Sequence, residues 1–386
     1  MKKTAILCSA IAWLMAMPAM ADDTFTENGV TYTKDGDIAK VTAAAEATGE
    51  VVIRGQVTID ENDYYVTVIN TEAFQNNTAI TKVTIPNAKI NIGLNVVAKR
   101  TDGYHDIETV FYPVLLQDAL EIKPMRPLDP AQLRKRLEAG LLVQPDDAFM
   151  PYRLFPKREG IPCCSLEMTG NEFPFKAADN LVVKAYLLLQ QDFDLPSIDI
   201  KLHKHIPSGA GLGGGSSDCA FMITLLNRRF NLRMRESMME RYAARLGSDC
   251  AFFISNTPSI ATGRGEILNS INLSLKGYTI LLVKPEESVS TAEAYAGVTP
   301  HKPTVSLSEA VMRPVSEWKE CVFNDFEPSV FAKHPLLADI KQKLYDLGAD
   351  YAAMTGSGST IYGIFSQPLD NPADLFPGMF TCQREM

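Results

Sequence analysis

The chain has 386 residues, of which 46% are hydrophobic and 22% charged, so it is long enough for two or three domains with buried cores. Its net charge of −9 disfavours a broad electrostatic surface for DNA or RNA, although a local basic groove could still hold a small anion. Its seven cysteines contain no CxxC pair and no Cys/His spacing suited to zinc, which favours reduced thiols.

The first 21 residues resemble a secretory signal peptide. Two lysines at positions 2 and 3 precede an apolar run over residues 5–17, and the triplet Ala-Met-Ala at 19–21 fits the small-x-small cleavage rule. A buried N-terminal helix is the alternative. No later stretch of the sequence is long and apolar enough to predict a membrane span.

Residues 22–85 have the pattern of short β-strands. Segments rich in β-branched residues, at 51–53, 56–59, 65–69 and 83–85, are separated by Gly, Asn and Asp turns. The stretch from Tyr64 to Asn87, YYVTVINTEAFQNNTAITKVTIPN, resembles a unit of the BspA-type leucine-rich repeats of bacterial surface proteins. A solenoid needs about three or more stacked repeats, so we do not expect this single unit to work as an adhesion module.

A different pattern begins at Pro86. Strand-like segments at 89–97, 108–113, 198–202, 278–283 and 360–365 alternate with helical segments at 180–191, 216–229, 235–246 and 336–347. This alternation predicts a layered α/β or α+β architecture, with an N-terminal lobe over residues 86–257 and a C-terminal lobe over residues 258–386. Residues 125–164 are Pro-rich and irregular, and we interpret them as a surface insertion in which Asp129 and Pro130 begin a helix.

A glycine-rich loop precedes one of the predicted helices. Residues 207–218 read PSGAGLGGGSSD, and their glycines let successive backbone N–H groups point into one concavity. The following helix adds its positive N-terminal dipole. The loop has no Gly-Lys-Ser/Thr ending for a Walker P-loop and does not follow a first strand as a Rossmann loop does. It is therefore predicted to be an anion cradle, and a purely structural turn is the alternative.

Five motifs in order resemble the GHMP kinase superfamily. They are PNAKINIGLNVVAKRTDGYHDIETVFYPV at 86–114, the PSGAGLGGGSSD loop, LGSDCAFFI at 246–254, ATGRGEIL at 261–268 and MTGSGSTIYGIF at 354–365. The GGGSSD form of the loop is similar to the loop in one branch of this superfamily. That branch phosphorylates a cytidine diphosphate-linked methylerythritol in the non-mevalonate isoprenoid pathway. The resemblance spans about residues 84–366 apart from the insertion. It implies an α+β, two-lobed GHMP kinase fold with ATP and substrate in the cleft between the lobes.

The resemblance assigns the glycine-rich loop to ATP. The expected ATP contacts are Pro207, Ser208, Gly209, Ala210, Gly211, Leu212, Gly213, Gly214, Gly215, Ser216 and Ser217. A C-terminal loop containing Gly356, Ser357 and Gly358 is expected to fold against them, with an ordinary hairpin turn as the alternative. Mg²⁺ is implied by the triphosphate chemistry, but the sequence spacing reveals no protein ligand for it.

Lys89 and Asp249 are the expected catalytic pair. Asp249 precedes an apolar run at 250–254, where partial desolvation and a nearby lysine could hold a carboxylate ready to accept a hydroxyl proton. Lys89 alternates on its strand with apolar neighbours, so its ammonium can point towards Asp249 and the transferring phosphate. In the resembling kinases the matching residues form the pair. A turn-capping aspartate and a solvated strand lysine are the alternatives.

Asn91, Tyr104 and His105 are expected to hold the substrate. Asn91 lies on the same strand face as Lys89 and could hydrogen-bond the erythritol hydroxyls. Tyr104 and His105 match family positions that hold a cytosine ring by stacking and by hydrogen bonds to the base edge. These residues favour a cytidine diphosphate substrate over that of a mevalonate or sugar kinase, which is the alternative within the superfamily.

The two parts of the sequence predict different locations. The signal-like start and the repeat-like segment indicate export, and they allow an exported surface-binding protein as a rival function. The kinase part needs ATP and a nucleotide-linked metabolite, so we predict that it works in the cytoplasm. We hypothesise that residues 1–85 are a fused fragment. The sequence does not predict an oligomeric state.

Overall fold

The computed structural model describes residues 80–125, 164–171 and 176–386, together with six strands within residues 24–69, the short strand Leu142–Val143 and positions 131 and 136. The signal-like segment 1–21 and the helix start predicted at Asp129 and Pro130 lie outside these residues. Within the described part of the chain, no helix has the length and apolar character needed to cross a membrane.

The upstream strands confirm that residues 22–85 are rich in β-structure. They are β1 (Thr24–Glu27), β2 (Val30–Asp35), β3 (Ile38–Ala43), β4 (Gly49–Val52), β5 (Gln56–Ile59) and β6 (Asn62–Ile69). Five of them form a sheet in the order β1-β2-β3-β6-β5, whereas β4 pairs in parallel with the start of the next strand. The assignment to leucine-rich repeats stays a prediction.

The N-terminal lobe contains a large mixed sheet. Its strands are β7 (Ile80–Lys99), β8 (His105–Pro124), β9 (Leu142–Val143), β10 (Cys164–Gly170), β11 (Ile198–Lys204), β12 (Ser259–Thr262) and β13 (Ile267–Ser270). The order is β13-β12-β8-β11-β10-β9, with β7 also beside β8. Alternate residues of β11 are buried, as expected for a strand with one face on a core.

Two features of this sheet differ from the sequence prediction. Strand β8 continues well beyond the predicted 108–113, because it pairs antiparallel with β7 on one side and with β11 on the other. The sheet also extends past the predicted lobe boundary at residue 258, because β12 pairs with β8 and β13 pairs with β12. Strand β7 is continuous across Pro86.

The described helices that follow in this lobe are α1 (Leu181–Asp192), α2 (Gly214–Arg229), α3 (Glu236–Ala244) and α4 (Phe252–Ser255). Helix α1 begins where predicted, because the Asn180 side chain accepts a hydrogen bond from the Val182 amide at 3.0 Å. The apolar sides of the helices and of β11 form one buried core, which includes Tyr186, Ile200 and Met222. This core fixes the helix that follows the glycine-rich loop.

The C-terminal lobe has an antiparallel sheet in the order β15-β16-β14-β17, formed by β14 (Thr279–Lys284), β15 (Tyr351–Met354), β16 (Ile361–Phe365) and β17 (Phe380–Glu385). Its helices are α5 (Thr291–Ala296), α6 (Leu307–Ala310), α7 (Glu327–Lys333), α8 (Pro335–Asp346) and α9 (Pro372–Leu375). A second core joins the two lobes, with Ile90 of β7 and Leu282 of β14 in the same buried cluster. The cleft between the lobes therefore has a rigid base.

Candidate active site

A cavity of about 740 Å³ is lined by residues from all five sequence motifs. Its wall includes every loop residue from Pro207 to Ser216. It also includes the other predicted site residues, namely Lys89, Asn91, Tyr104, His105, Asp249, Gly356, Ser357 and Gly358. The fold thus brings together segments that are up to 269 positions apart in sequence, from Lys89 to Gly358.

The glycine-rich loop ends at the start of α2, which opens onto this cavity. Gly213 caps the helix in a left-handed conformation with φ +70°, which favours glycine. The first intrahelical hydrogen bond runs from the Ser217 amide to the Gly213 carbonyl at 2.9 Å, so the amides of residues 213–216 precede the hydrogen-bonded helix. These amides and the helix dipole suit an anion.

Ser217 differs from the other predicted ATP contacts. Its side chain is fully buried, its amide is used by the helix, and it does not line the cavity. The reason is the helical period, because Ser217 faces the core while Ser216 faces the cavity. We therefore leave Ser217 out of the residues that contact a ligand.

The C-terminal glycine loop packs against the glycine-rich loop. Gly211 has φ +73°, and a Cβ there would lie 2.2 Å from the Thr355 carbonyl oxygen. The Thr355 hydroxyl donates a hydrogen bond to the Gly211 carbonyl at 3.1 Å. Asn324 Nδ2 donates to the Met354 and Gly356 carbonyls at 2.7 and 2.9 Å. The two loops are therefore held in close backbone contact.

Lys89 and Asp249 form an ion pair at the wall of the cavity. Lys89 Nζ lies 3.2 Å from Asp249 Oδ2, with the lysine side chain 3% and the aspartate side chain 36% exposed. The ammonium also donates to Asn91 Oδ1 at 2.6 Å and lies 4.7 Å from the centroid of the Phe111 ring. The lysine is thus fixed from several sides, while the carboxylate stays accessible from the cavity.

Asn91 has protein partners for both polar atoms of its side chain. Its Oδ1 accepts the hydrogen bond from Lys89, and its Nδ2 donates to Thr109 Oγ1 at 2.9 Å. Its backbone amide donates to Thr355 Oγ1 at 3.0 Å. Asn91 therefore orients the ammonium of Lys89. The sequence analysis predicted only a contact between Asn91 and the substrate hydroxyls, and not this role.

Aromatic residues lie at another part of the cavity wall. Tyr104 is 56% exposed, and the guanidinium carbon of Arg264 lies 5.0 Å from the centroid of its ring. The His105 ring stacks on Tyr295 with a centroid distance of 4.8 Å and an interplanar angle of 20°. The turn before them is stabilised by Asp102, whose Oδ1 accepts a hydrogen bond from the Tyr104 amide at 3.1 Å.

Tyr295 and Arg264 were missed by the sequence analysis. Tyr295 lies on the six-residue helix α5, which is too short to show a helical period. Burial, together with the Asp249 carboxylate, raises the pKa of Tyr295 to about 12, so its phenol keeps its proton. Arg264 lies inside the ATGRGEIL motif, where the sequence offered no reason to single it out.

Among the described residues, no group of three or more His, Cys, Asp and Glu side chains could hold a metal ion. Mg²⁺ in kinases is usually held by one or two protein ligands plus substrate phosphates. Ser216 lines the cavity and carries an oxygen atom suited to that ion.

The fold and the cavity together define a GHMP kinase. The family model described as GHMP kinases N terminal domain matches residues 180–257, and the GHMP kinases C terminal model matches residues 309–374. A crystal structure titled 4-(cytidine 5'-diphospho)-2C-methyl-D-erythritol kinase has a similar fold, with a TM-score of 0.58 and 24% identity. That match covers 77% of this chain and 97% of the other chain.

Curated relatives indicate which group of GHMP kinases the chain belongs to. The 4-diphosphocytidyl-2-C-methyl-D-erythritol kinase of Bacteroides fragilis is 51% identical over 284 residues, which cover 74% of this chain and 92% of the relative. The same kinase of Bacteroides thetaiotaomicron is 52% identical over 283 residues, which cover 73% of this chain and 92% of the relative. The chain therefore belongs to the 4-diphosphocytidyl-2-C-methyl-D-erythritol kinase family, whose members use ATP.

Proposed function

We propose that the chain transfers the γ-phosphoryl group of ATP to the 2-hydroxyl of 4-diphosphocytidyl-2-C-methyl-D-erythritol, giving the 2-phosphate and ADP. The observation that carries the proposal is the Lys89–Asp249 pair, 3.2 Å apart, in the same cavity as the N-terminus of α2. A carboxylate, a fixed cation and an anion-binding helix end are the groups that phosphoryl transfer requires. The names of the relatives supply the substrate.

Asp249 would accept the proton of the attacking hydroxyl. Its carboxylate is accessible from the cavity, whereas Lys89 is buried and held by Asn91. The Lys89 ammonium would orient Asp249 and balance negative charge that develops on the transferring group. Asn91 would keep that ammonium in place, in addition to the predicted contact with the substrate hydroxyls.

The loop from Pro207 to Ser216 would hold the ATP phosphates through the amides at the start of α2. The loop of Gly356, Ser357 and Gly358 would support it from the C-terminal lobe, as the contact of Thr355 with Gly211 suggests. Ser216 would be a protein ligand of Mg²⁺, which neutralises phosphate charge when it is bound with ATP.

Tyr104 and His105 would hold the cytosine ring of the substrate. The exposed ring of Tyr104 offers a flat face for stacking, and His105 has ring nitrogens for the base edge. Tyr295 supports this assignment, because its stacking fixes the orientation of His105. A mevalonate or sugar substrate has no base for these groups to bind.

We also propose that the kinase comprises the residues from about 84 onward and works in the cytoplasm. The aligned stretch of 284 residues leaves about a quarter of this chain unmatched, while it spans 92% of the Bacteroides fragilis relative. Free thiols at Cys164, Cys219, Cys250, Cys321 and Cys382 agree with a reducing compartment. Residues 1–85 would then be a fused fragment.

The test is ATP consumption by the full chain with and without the cytidyl substrate, with mevalonate as the alternative acceptor. We expect ADP release that depends on the cytidyl substrate and is lost in Asp249→Asn. Equal release with mevalonate would favour another GHMP kinase activity. Binding to surface partners without ATP turnover would favour the exported repeat protein.

A second comparison tests the boundary. A chain that begins at Thr84 and one that begins at Asp22 are assayed side by side for turnover and solubility. We expect equal specific activities. An inactive shorter chain beside an active longer one would make residues 22–83 part of the enzyme.

A further inference from the structure

A buried cluster of three charged side chains lies beneath the glycine-rich loop. Lys204 is the last residue of β11, and its side chain is 4% exposed. It donates to Asp118 Oδ2 of β8 and, at 2.7 Å, to Asp218 Oδ2 of α2. Both carboxylates are almost fully buried. The three residues come from three different elements of the N-terminal lobe.

The cluster connects the two ends of the loop. Asp118 Oδ1 accepts hydrogen bonds from the amides of His205 and Ile206, at 2.6 and 2.9 Å, directly before the loop begins at Pro207. Asp218 lies in the first turns of α2, directly after the loop. A Cβ on Gly214 would lie 3.4 Å from Lys204 Nζ, so the ammonium sits beneath the first residue of the helix. One ammonium therefore joins the strand before the loop to the helix after it.

Burying these three charged side chains costs desolvation free energy. Apolar side chains could fill the same space without that cost. Burial alone would lower the pKa of Lys204, but Asp218 and Asp118 outweigh it and raise that pKa. Burial raises the pKa of Asp218 to about 7 despite the nearby ammonium. Apolar replacements of buried ion pairs are often neutral or stabilising, so a buried cluster of this kind is weak support for a purely structural role.

We propose that Lys204 is a positioning residue for ATP binding, which holds the glycine-rich loop in its anion-binding form through Asp118 and Asp218. The amides of residues 213–216 can face the phosphates together only while the end of β11 and the start of α2 keep a fixed separation. Lys204 fixes that separation. The inference rests on the proposed function, because ATP is the anion that the loop would hold.

The test compares Michaelis constants in the full chain. Lys204→Met keeps the length of the side chain but removes both hydrogen bonds, so we expect KM for ATP to rise roughly tenfold or more. The KM for the cytidyl substrate should stay within about twofold, since its proposed contacts lie elsewhere in the cavity. Lys201→Met is the matched control on the same strand, because Lys201 and its partner Glu167 are both 58% exposed.

Two changes at Asp218 test the same link from the helix side. Asp218→Asn keeps an oxygen acceptor for Lys204, so KM for ATP should remain within about threefold of the wild type. Asp218→Ala removes the acceptor, so KM for ATP should rise by about fivefold or more. This pair carries the test if Lys204→Met does not fold.

Three outcomes would overturn the proposal. One is a lower melting temperature in Lys204→Met with both KM values unchanged, as a purely structural role predicts. Another is an equal rise of both KM values, and the third is identical behaviour of Asp218→Ala and Asp218→Asn. Failure of the proposed function is distinguishable, because wild-type chain would then show no turnover of the cytidyl substrate.

Discussion

Replacing Asp249 by Asn should remove the base while leaving the cavity intact. A positioned general base contributes about 10²- to 10⁴-fold, so turnover should fall by that factor. The KM for ATP should stay within about threefold, because the glycine-rich loop is unchanged. The amide is nearly isosteric with the carboxylate, so the packing of α4 and of the preceding turn should persist.

The structural cost of this change can be bounded from the ion pair. At 3.2 Å and an effective dielectric constant of about 20, the attraction between Lys89 and Asp249 is about 5 kcal/mol. Asp249 is 36% exposed, so solvent screening reduces this figure, and Asn91 keeps a hydrogen bond to the ammonium. We therefore expect a loss of about 1–2 kcal/mol in the free energy of unfolding.

The assay is coupled ADP release under saturating substrates, with urea unfolding of the same samples. Asp179→Asn is a matched control, because Asp179 is 55% exposed, forms an ion pair with Lys184 at 4.0 Å and does not line the cavity. Turnover of Asp249→Asn within threefold of the wild type would remove Asp249 from the mechanism. A large loss of turnover in Asp179→Asn would show that the assay reports folding instead.

Three further changes test other parts of the site. Tyr104→Ala should raise KM for the cytidyl substrate by roughly 5- to 150-fold, equivalent to about 1–3 kcal/mol, and a rise in KM for ATP alone would contradict the stacking role. Gly211→Ala should cost about 2 kcal/mol or more and weaken ATP binding in calorimetry, because its Cβ would lie 2.2 Å from a carbonyl oxygen. Gly277→Ala is its control, since φ there is +86° but a Cβ meets nothing within 4 Å, and equal effects of the two would refute the loop contact. The pKa of Asp218 is about 7 in the folded chain and near 3.8 in the unfolded chain. Between pH 3.8 and pH 7 the folded state therefore binds a proton that the unfolded state has lost. As the pH rises from 5 to 8, the wild type should therefore lose roughly 1–3 kcal/mol of stability relative to Asp218→Asn. Urea midpoints that shift equally with pH in both proteins would contradict this prediction.

The sequence indicated residues of the cavity better than it indicated their environment. The glycine-rich loop was predicted from its residue types and spacing, whereas the family resemblance was needed to single out Lys89 and Asp249, and all of them line the cavity. The partners of Asn91 could not be found, since Thr109 and Thr355 reach it only through the sheet and the C-terminal loop. Contacts between distant segments leave no local pattern in a single sequence.

The same distinction applies to the fold. Helices α1, α2, α3 and α8 were predicted because each spans at least two turns with an apolar face. Helix α5 is too short for such a pattern. The membership of β12 in the large sheet depends on its pairing with β8, which no property of its four residues reveals. A lobe boundary predicted from sequence can therefore lie inside a sheet, because a sheet can include strands from beyond a linker.

The hydrophobic core that contains both Ile90 and Leu282 limits how the enzyme can open. A hinge that separated the two sheets would expose this core to water, and each buried aliphatic side chain would then cost about 1.5–3 kcal/mol. Any rearrangement on binding is therefore expected in short peripheral segments that line the cavity, such as α5 with Tyr295 and the turn around Arg264. Product release would then require movement of these segments and not of whole lobes.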